Sequence, residues 1–252
     1  MALPVGILDQ SPVLSSAHPR DAILATIALA KEAERLGYHR YWLAEHHAMQ
    51  GLADPAPEIL LARIAAETSR IRIGTGGVLL PHYAALKVAE QFRLLDALAP
   101  GRIDLGIGRA PGGSQRVSLA LESAEIQRFP RQVRDLIGFL DRTLPGDHPY
   151  AKLVAMPSGD TSPEVWLLGS SDYSAALAAE FGLPFAFAHF ISGDTEQVTR
   201  MYRRHFRPSP RADEPRVVLA VAALAAETPE EAEELAATLD LWRLRIRRGV
   251  DL

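Results

Sequence analysis

The sequence predicts an α/β fold, read as a (β/α) barrel that is incomplete, with about seven strands where a closed barrel of this kind has eight. Three observations lead there. Short apolar runs alternate with helix-period segments from the first residues onward, which implies parallel strands joined by right-handed crossovers. Four strand candidates lie before residue 110, a density that favours a barrel over a layered sheet. Polar groups recur directly after the apolar runs, where a parallel barrel gathers its functional side chains.

Residues 4–8 (PVGIL) form the first strand candidate. Residues 21–36 place Ile23, Ile27, Ala30 and Ala33 at helical spacing, and Gly37 stands where a helix C-cap belongs. The second strand is 41–44, followed by a helix over 56–68 with Ile59, Leu60 and Ile64 on one face. Residues 71–80 (IRIGTGGVLL) are the third strand, 85–98 a helix stopped by Pro100-Gly101, and 103–107 the fourth strand. A helix over 129–140 precedes residues 143–163, rich in Pro, Gly and Asp, which read as an excursion or lid. Alternation resumes with strand 165–168, helix 174–181, strand 184–188, a helix over 195–206 and strand 217–224. The last helix, 229–245, opens with Thr228 as N-cap and Glu231 at the capping-box position. Seven strands mean an open or shortened barrel, or a chain without its end; residues 1–252 are read as a single domain.

Composition narrows the function. The chain of 252 residues is 48% hydrophobic and can bury a sizeable core. Its net charge is −4 with both signs interspersed, which argues against a nucleic-acid face or an anionic-membrane anchor. There are no cysteines, so disulfides, thiolate metal sites and a cysteine nucleophile are excluded. The start, MALPVGILDQSP, lacks a signal-peptide pattern, and no apolar run has the length of a membrane span. The expectation is a soluble, cytoplasmic protein.

The strand ends carry the chemistry: Asp9-Gln10-Ser11, Glu45-His46-His47, Leu80-Pro81-His82, Gly108-Arg109-Ala110, Gly169-Ser170-Ser171 and His189. Histidines at three of these ends raise a metal site as one reading. Adjacent strand residues point to opposite faces, however, so His46 and His47 cannot both aim inward, and no His-x-His pair or H-E-x-x-H helix is present. No metal is expected. The reading of His47 is a packed or exposed residue, and Glu45 serves either in the chemistry or as a carboxylate that orients a histidine. GTGG at 74–77 places glycines inside a strand, where they mark a close approach to a flat ligand or an unusual peptide. GIGRAPGG at 106–113 lacks dinucleotide-motif spacing, but its Arg109 suits a phosphate or carboxylate. GSSDYS at 169–174 offers the hydroxyls of Ser170, Ser171, Tyr173 and Ser174 beside free N–H groups at a helix start, an anion-binding arrangement.

In order along the chain, YWLAEHH, IRIGTGGVLLPHYAALKVAEQFRLLDALAPGRIDLGIGRAPGG and VWLLGSSDYSAALAAEFGLPFAFA resemble the bacterial luciferase-like family of flavin-dependent monooxygenases, across residues 4–225. The likeness is greatest to the alkanal-monooxygenase-like branch, which implies FMN rather than a deazaflavin. It implies a TIM-type (β/α)8 barrel holding reduced FMN at its C-terminal face, for use with O2 on a small organic substrate. A separate flavin reductase would supply the cofactor. His46 aligns with the family's active-site histidine and Glu45 accompanies it. Gly76-Gly77 aligns with a pair beneath the flavin ring that often carries a non-prolyl cis peptide. Two glycines remove the Cβ clashes that would add to the cost of such a bond, and a bulge with trans bonds is the alternative. Arg109 and Ser171 align with phosphate-binding residues. Ser170 stands where bacterial luciferase has a glutamate, and Gly108 where it has a reactive cysteine, so light emission is not implied. Family members are longer than this chain, and the missing part supplies the last strand. Shortened relatives that bind flavin without turnover make a non-catalytic flavin-binding protein the alternative function. A homodimer is also expected, through the helices after strands two and three, because Ile59, Leu60, Leu61 and Ile64 exceed what one barrel-facing stripe needs.

Overall fold

The strands form one parallel sheet: β1 (Gly6–Asp9), β2 (Arg40–Leu43), β3 (Arg72–Thr75), β4 (Val78–Leu79), β5 (Ile103–Gly108), β6 (Glu164–Gly169), β7 (Phe185–Ala188) and β8 (Val217–Ala220). The structure, a computed structural model, describes residues 3–123 and 125–247. Neighbours follow chain order, and β3 and β4 share one position because both pair with β5. The result is a nearly closed barrel of seven strand positions. Among the described residues no ladder joins β8 to β1. The expected third strand is thus interrupted at Gly76-Gly77, whose peptide bond is cis.

The helices are α1 (Pro19–Arg35), α2 (Pro57–Glu67), α3 (Ala85–Leu98), α4 (Gln115–Ala120), α5 (Phe129–Asp141), α6 (Asp172–Glu180), α7 (Thr195–His205) and α8 (Pro229–Arg247). α1 starts earlier than its apolar spacing indicates. His18 caps it, accepting from Arg20 N through Nδ1 (3.2 Å) and donating its own N–H to Asp21 Oδ2 (3.2 Å). Gly37 ends α1 with φ +82°, the left-handed conformation that glycine adopts at low cost. Among the described residues no helix is long and apolar enough to cross a membrane.

Residues 143–163 are not a lid over the C-terminal end. Arg93 and Asp96, late in α3, bind this excursion through Pro157 O (2.9 Å), Gly159 O (2.9 Å) and Thr161 Oγ1 (2.5 Å). That places it where α3 returns to the strand starts. The broad apolar stripe of α2 also has an ordinary explanation: Leu60, Leu61 and Ile64 are buried in the core, and of the four only Ile59 is exposed.

Strand alternation divides the apolar residues between two faces. Outward-facing Tyr41, Ile73, Leu105, Leu167 and Phe185 pack beneath the helices, whereas Trp42, Trp166 and Ala186 form a separate cluster with Leu8, Leu168 and Val218 inside the barrel. Below the tryptophans the lumen is charged. Asp104, with no exposed surface, accepts from Arg40 Nη1 (3.1 Å), Trp42 Nε1 (2.8 Å), Arg72 Nε (2.9 Å) and Arg72 Nη2 (2.5 Å). Glu164 accepts from Trp166 Nε1 (3.0 Å) and pairs with Arg216 (2.5 Å). Burial alone would raise the Glu164 carboxyl, but Arg216 and Arg72 hold it below the usual carboxylate range. Arg40 lies 5.4 Å and 4.7 Å from the centroids of Trp42 and Trp166, within cation–π range.

Removing one partner of a buried ion pair leaves the other charge uncompensated. Asp104→Ala is therefore expected to lower unfolding free energy by roughly 3–5 kcal/mol, read from urea denaturation. A loss below about 1 kcal/mol, the range of surface ion pairs, would contradict this account of the lumen.

Candidate active site

Asp9 ends β1, Glu45-His46-His47 follow β2, His82 follows β4, Arg109 follows β5 and Ser170-Ser171 follow β6. Parallel strands carry all of these to the C-terminal mouth of the barrel. Glycines shape the wall leading up to it. A Cβ on Gly77 would lie 2.5 Å from Gly106 O, and one on Gly106 would lie 2.0 Å from Thr75 O. The neighbouring strand alone therefore demands glycine here. On Gly76 a Cβ would meet Leu8 Cδ1 at 2.6 Å, inside the lumen above Trp42.

One half of the mouth is built around Glu45, which is 3% exposed. Its Oε1 accepts from Tyr83 Oη (2.7 Å) and lies 2.5 Å from His47 Nε2, while Oε2 accepts from Leu79 N (2.9 Å). Burial, then the adjacent Glu45 carboxylate, push the Tyr83 phenol up, so it remains a donor. Glu45 thus orients a histidine, and that histidine is His47. His46 is separate: its N–H donates to Asp54 O (3.2 Å), and its half-buried ring holds a buried Nδ1 with no partner. Burial, and then His47, lower the His46 pKa, so the imidazole is neutral at pH 7. A neutral ring with an unpartnered nitrogen can accept or donate one proton.

The other half brings Arg109 to the start of α6. The Arg109 guanidinium carbon lies 4.2 Å from the Tyr173 ring centroid. Among the described residues no hydrogen bond or ion pair to the protein is made by the Arg109 guanidinium. Ser171 N-caps α6, with Ser174 Oγ donating to Ser171 O (2.7 Å) and accepting from Ser171 N (3.3 Å). Ser174 is thereby committed to shaping the turn, whereas Tyr173, in the first turn of α6, carries Arg109 over its ring. The Asp172 carboxylate accepts from Tyr173 N (2.8 Å). The halves are joined by the loop after β5, where His47 N donates to Gly112 O (2.9 Å).

Over residues 3–248 the chain matches the family described as luciferase-like monooxygenase. The chain belongs to that family. Among its relatives is the N-acetyl-S-alkylcysteine monooxygenase of Bacillus subtilis (strain 168), 45% identical over 234 residues, which are 91% of this chain and 70% of that protein. The crystal structure of apo-MsnO8 superposes with a TM-score of 0.91 at 44% identity, covering all of this chain and 75% of that one. The oxygenating constituent of 3,6-diketocamphane monooxygenase from Pseudomonas putida, solved with FMN, gives a TM-score of 0.74 at 21% identity over 99% of this chain and 78% of that one. That last likeness concerns the fold.

Luciferase-like sequence patterns singled out His46 and Arg109 but gave Tyr83, Asp54 and helix α4 no role. Asp54 had a readable signal: an Asp two residues before Ala56-Pro57 forms an Asx turn, and Asp54 Oδ1 accepts from Ala56 N (3.1 Å). Its Oδ2 is buried without a partner. Burial, with Glu58, Asp9 and Glu45 adding to it against the Ala56 hydrogen bond, pushes the Asp54 carboxyl up to about 6.

The sign follows by linkage. Between the unfolded value near 3.9 and about 6, the native state binds more protons, so stability from this group falls as pH rises through that window. Its cost is complete above pH ~6 and absent below pH ~4. Asp54→Asn is expected to raise stability at pH 7.5 by about 1–2 kcal/mol, after discounting for partial solvation, and hardly at pH 4. Equal gains at both pH values would show that the carboxylate's charge is not what costs stability.

Proposed function

We propose that this chain is an FMN-dependent monooxygenase that uses reduced flavin and O2 on a small organic substrate, the flavin arriving from a separate reductase. The observation that carries the reading is the Arg109 guanidinium, without an acceptor among the described residues, over Tyr173 at the start of α6. It shares the barrel mouth with His46, whose buried Nδ1 lacks a partner. The donor set suits a terminal phosphate: one arginine, the hydroxyls of Ser170 and Ser171, and a helix N-terminus. Gly76-Gly77, with no side chains to project, provide a smooth wall suited to a flat ring. Ser174 and Glu45 support the site by positioning, Ser174 through the α6 turn and Glu45 through His47 and Tyr83.

Bound reduced flavin would supply the oxygen chemistry, which belongs to the cofactor rather than to protein groups. The protein's own part is to bind the phosphate, orient the ring, and hold or move a proton at His46 Nδ1. The preference for FMN over a deazaflavin comes from the sequence resemblance. A cytoplasmic homodimer completes the proposal, with exposed Ile59 on α2 and Leu94 and Leu98 on α3 as the faces that meet.

The decisive experiment is titration of the protein with FMN, riboflavin and a deazaflavin, followed by turnover assays with reduced FMN. Wild type is expected to prefer FMN to riboflavin. Arg109→Ala is expected to lose FMN affinity about tenfold to a hundredfold, the worth of a charge-assisted hydrogen bond, with riboflavin binding unchanged. Equal losses for both ligands would mean that Arg109 does not hold the phosphate. FMN binding without any turnover would favour a non-catalytic flavin carrier. For the oligomer, light scattering is expected to give a dimer that Ile59→Asp converts to monomer, and a monomeric wild type at micromolar concentration would refute it.

A further inference from the structure

The segment from Arg109 to Ser123 is held in an unusual way. α4 lies at its centre and buries none of its residues, and Leu119 is 74% exposed. Apolar packing therefore does little to fix it, and its tethers are polar. His82 provides two of them. Its Nε2 lies 2.9 Å from Pro111 O and its Nδ1 lies 2.5 Å from Ser123 Oγ, which itself lies 3.0 Å from Ser118 O. A carbonyl only accepts, so Nε2 carries the hydrogen toward Pro111.

His82 itself is well anchored. It ends a 3-10 turn, Leu80–His82, whose other two residues are buried. Its ring meets His47 edge-on at 5.5 Å and Tyr83 at 6.3 Å, and both of those residues are bonded to the buried Glu45. A rigid chain of contacts thus runs from Glu45 to Pro111. Pro111 is two residues from Arg109. Arg109 is only partly buried and rests on Tyr173, itself 40% exposed, so the path of the loop after β5 contributes to where the guanidinium lies.

We propose that His82 is a positioning residue for the anion-binding end of the site, acting through the Pro111 and Ser123 tethers to aim Arg109. The proposal rests on the reading of that end as the flavin phosphate site. It gives His82 no contact with substrate or cofactor. A misplaced guanidinium loses its bond to the phosphate while the ring's binding surface stays intact, so the effect is selective for phosphorylated flavin.

The test is flavin titration by fluorescence quenching, with FMN and riboflavin in parallel. His82→Phe keeps a planar ring and removes both tethers, so FMN affinity should fall about tenfold, as two lost hydrogen bonds imply, with riboflavin unchanged. His82→Gln, which offers one donor and one acceptor, should recover most of the loss. Ser123→Ala removes one tether and should give a smaller FMN-selective loss, a check that survives if His82→Phe folds poorly. In an Arg109→Ala background, His82→Phe should cost nothing further, because the two act through one contact. Losses that add, equal losses for both flavins, or unchanged FMN affinity in His82→Phe and Ser123→Ala would overturn the role of His82 while leaving the phosphate site standing. A wild type that does not distinguish FMN from riboflavin would remove both.

Discussion

A carboxylate with no access to water sits at the base of the barrel, and the rest of the molecule is arranged around it. Asp104 on β5 accepts from Arg40 and Trp42 on β2 and from Arg72 on β3, so one side chain ties three strand positions together. Such burial is tolerable only because the charge is paired and its lone pairs are filled. The same contacts turn the Trp42 indole N–H downward and leave its ring, with that of Trp166 5.6 Å away, to fill the middle of the lumen. Glu164 and Arg216 repeat the arrangement across β6 and the start of β8. The polar groups at the base are thereby satisfied, and an apolar layer separates them from the mouth.

That separation lets the mouth hold polar groups without partners. Close approach of β3 and β5, made possible by Gly77 and Gly106, brings the ends of those strands together beneath it. Above, the polar atoms of the described residues fall into two kinds. Those of Glu45 and Tyr83 are satisfied within the protein and make the framework rigid. His46 Nδ1 and the Arg109 donors are not, which is the condition for binding something else. A neutral imidazole and a guanidinium thus share one barrel end.

Neighbours in sequence are not always partners in the structure. Glu45 stands beside His46 in sequence, yet its hydrogen bond goes to His47, because adjacent residues at a strand end point to opposite sides. The residue taken as packed or exposed is therefore the one the carboxylate orients. The Pro- and Gly-rich excursion at 143–163 looks like a lid in sequence but is bound near the strand starts by Arg93 and Asp96. The segment that does border the mouth is the loop carrying α4, whose six residues are too few to leave a clear helical period.

By itself the sequence determined the alternation of parallel strands and helices, and one end of the sheet as the place of Asp9, His46, His82, Arg109 and Ser171. Those features are written in local periodicity and in position after an apolar run, which survive without knowledge of any long-range contact. The helix start at Thr228 was legible, whereas those capped by Ser171 and by His18, an uncommon cap residue, lie earlier than the apolar spacing indicates. Only the tertiary structure decided that Asp104 is the hub of the lumen, that α2 spends Leu60, Leu61 and Ile64 on the core, and that His82 holds Pro111 and Ser123. Each depends on partners tens of residues apart in the chain, and hydrogen-bond geometry between such partners is set by how strands register and helices pack, not by either sequence neighbourhood alone.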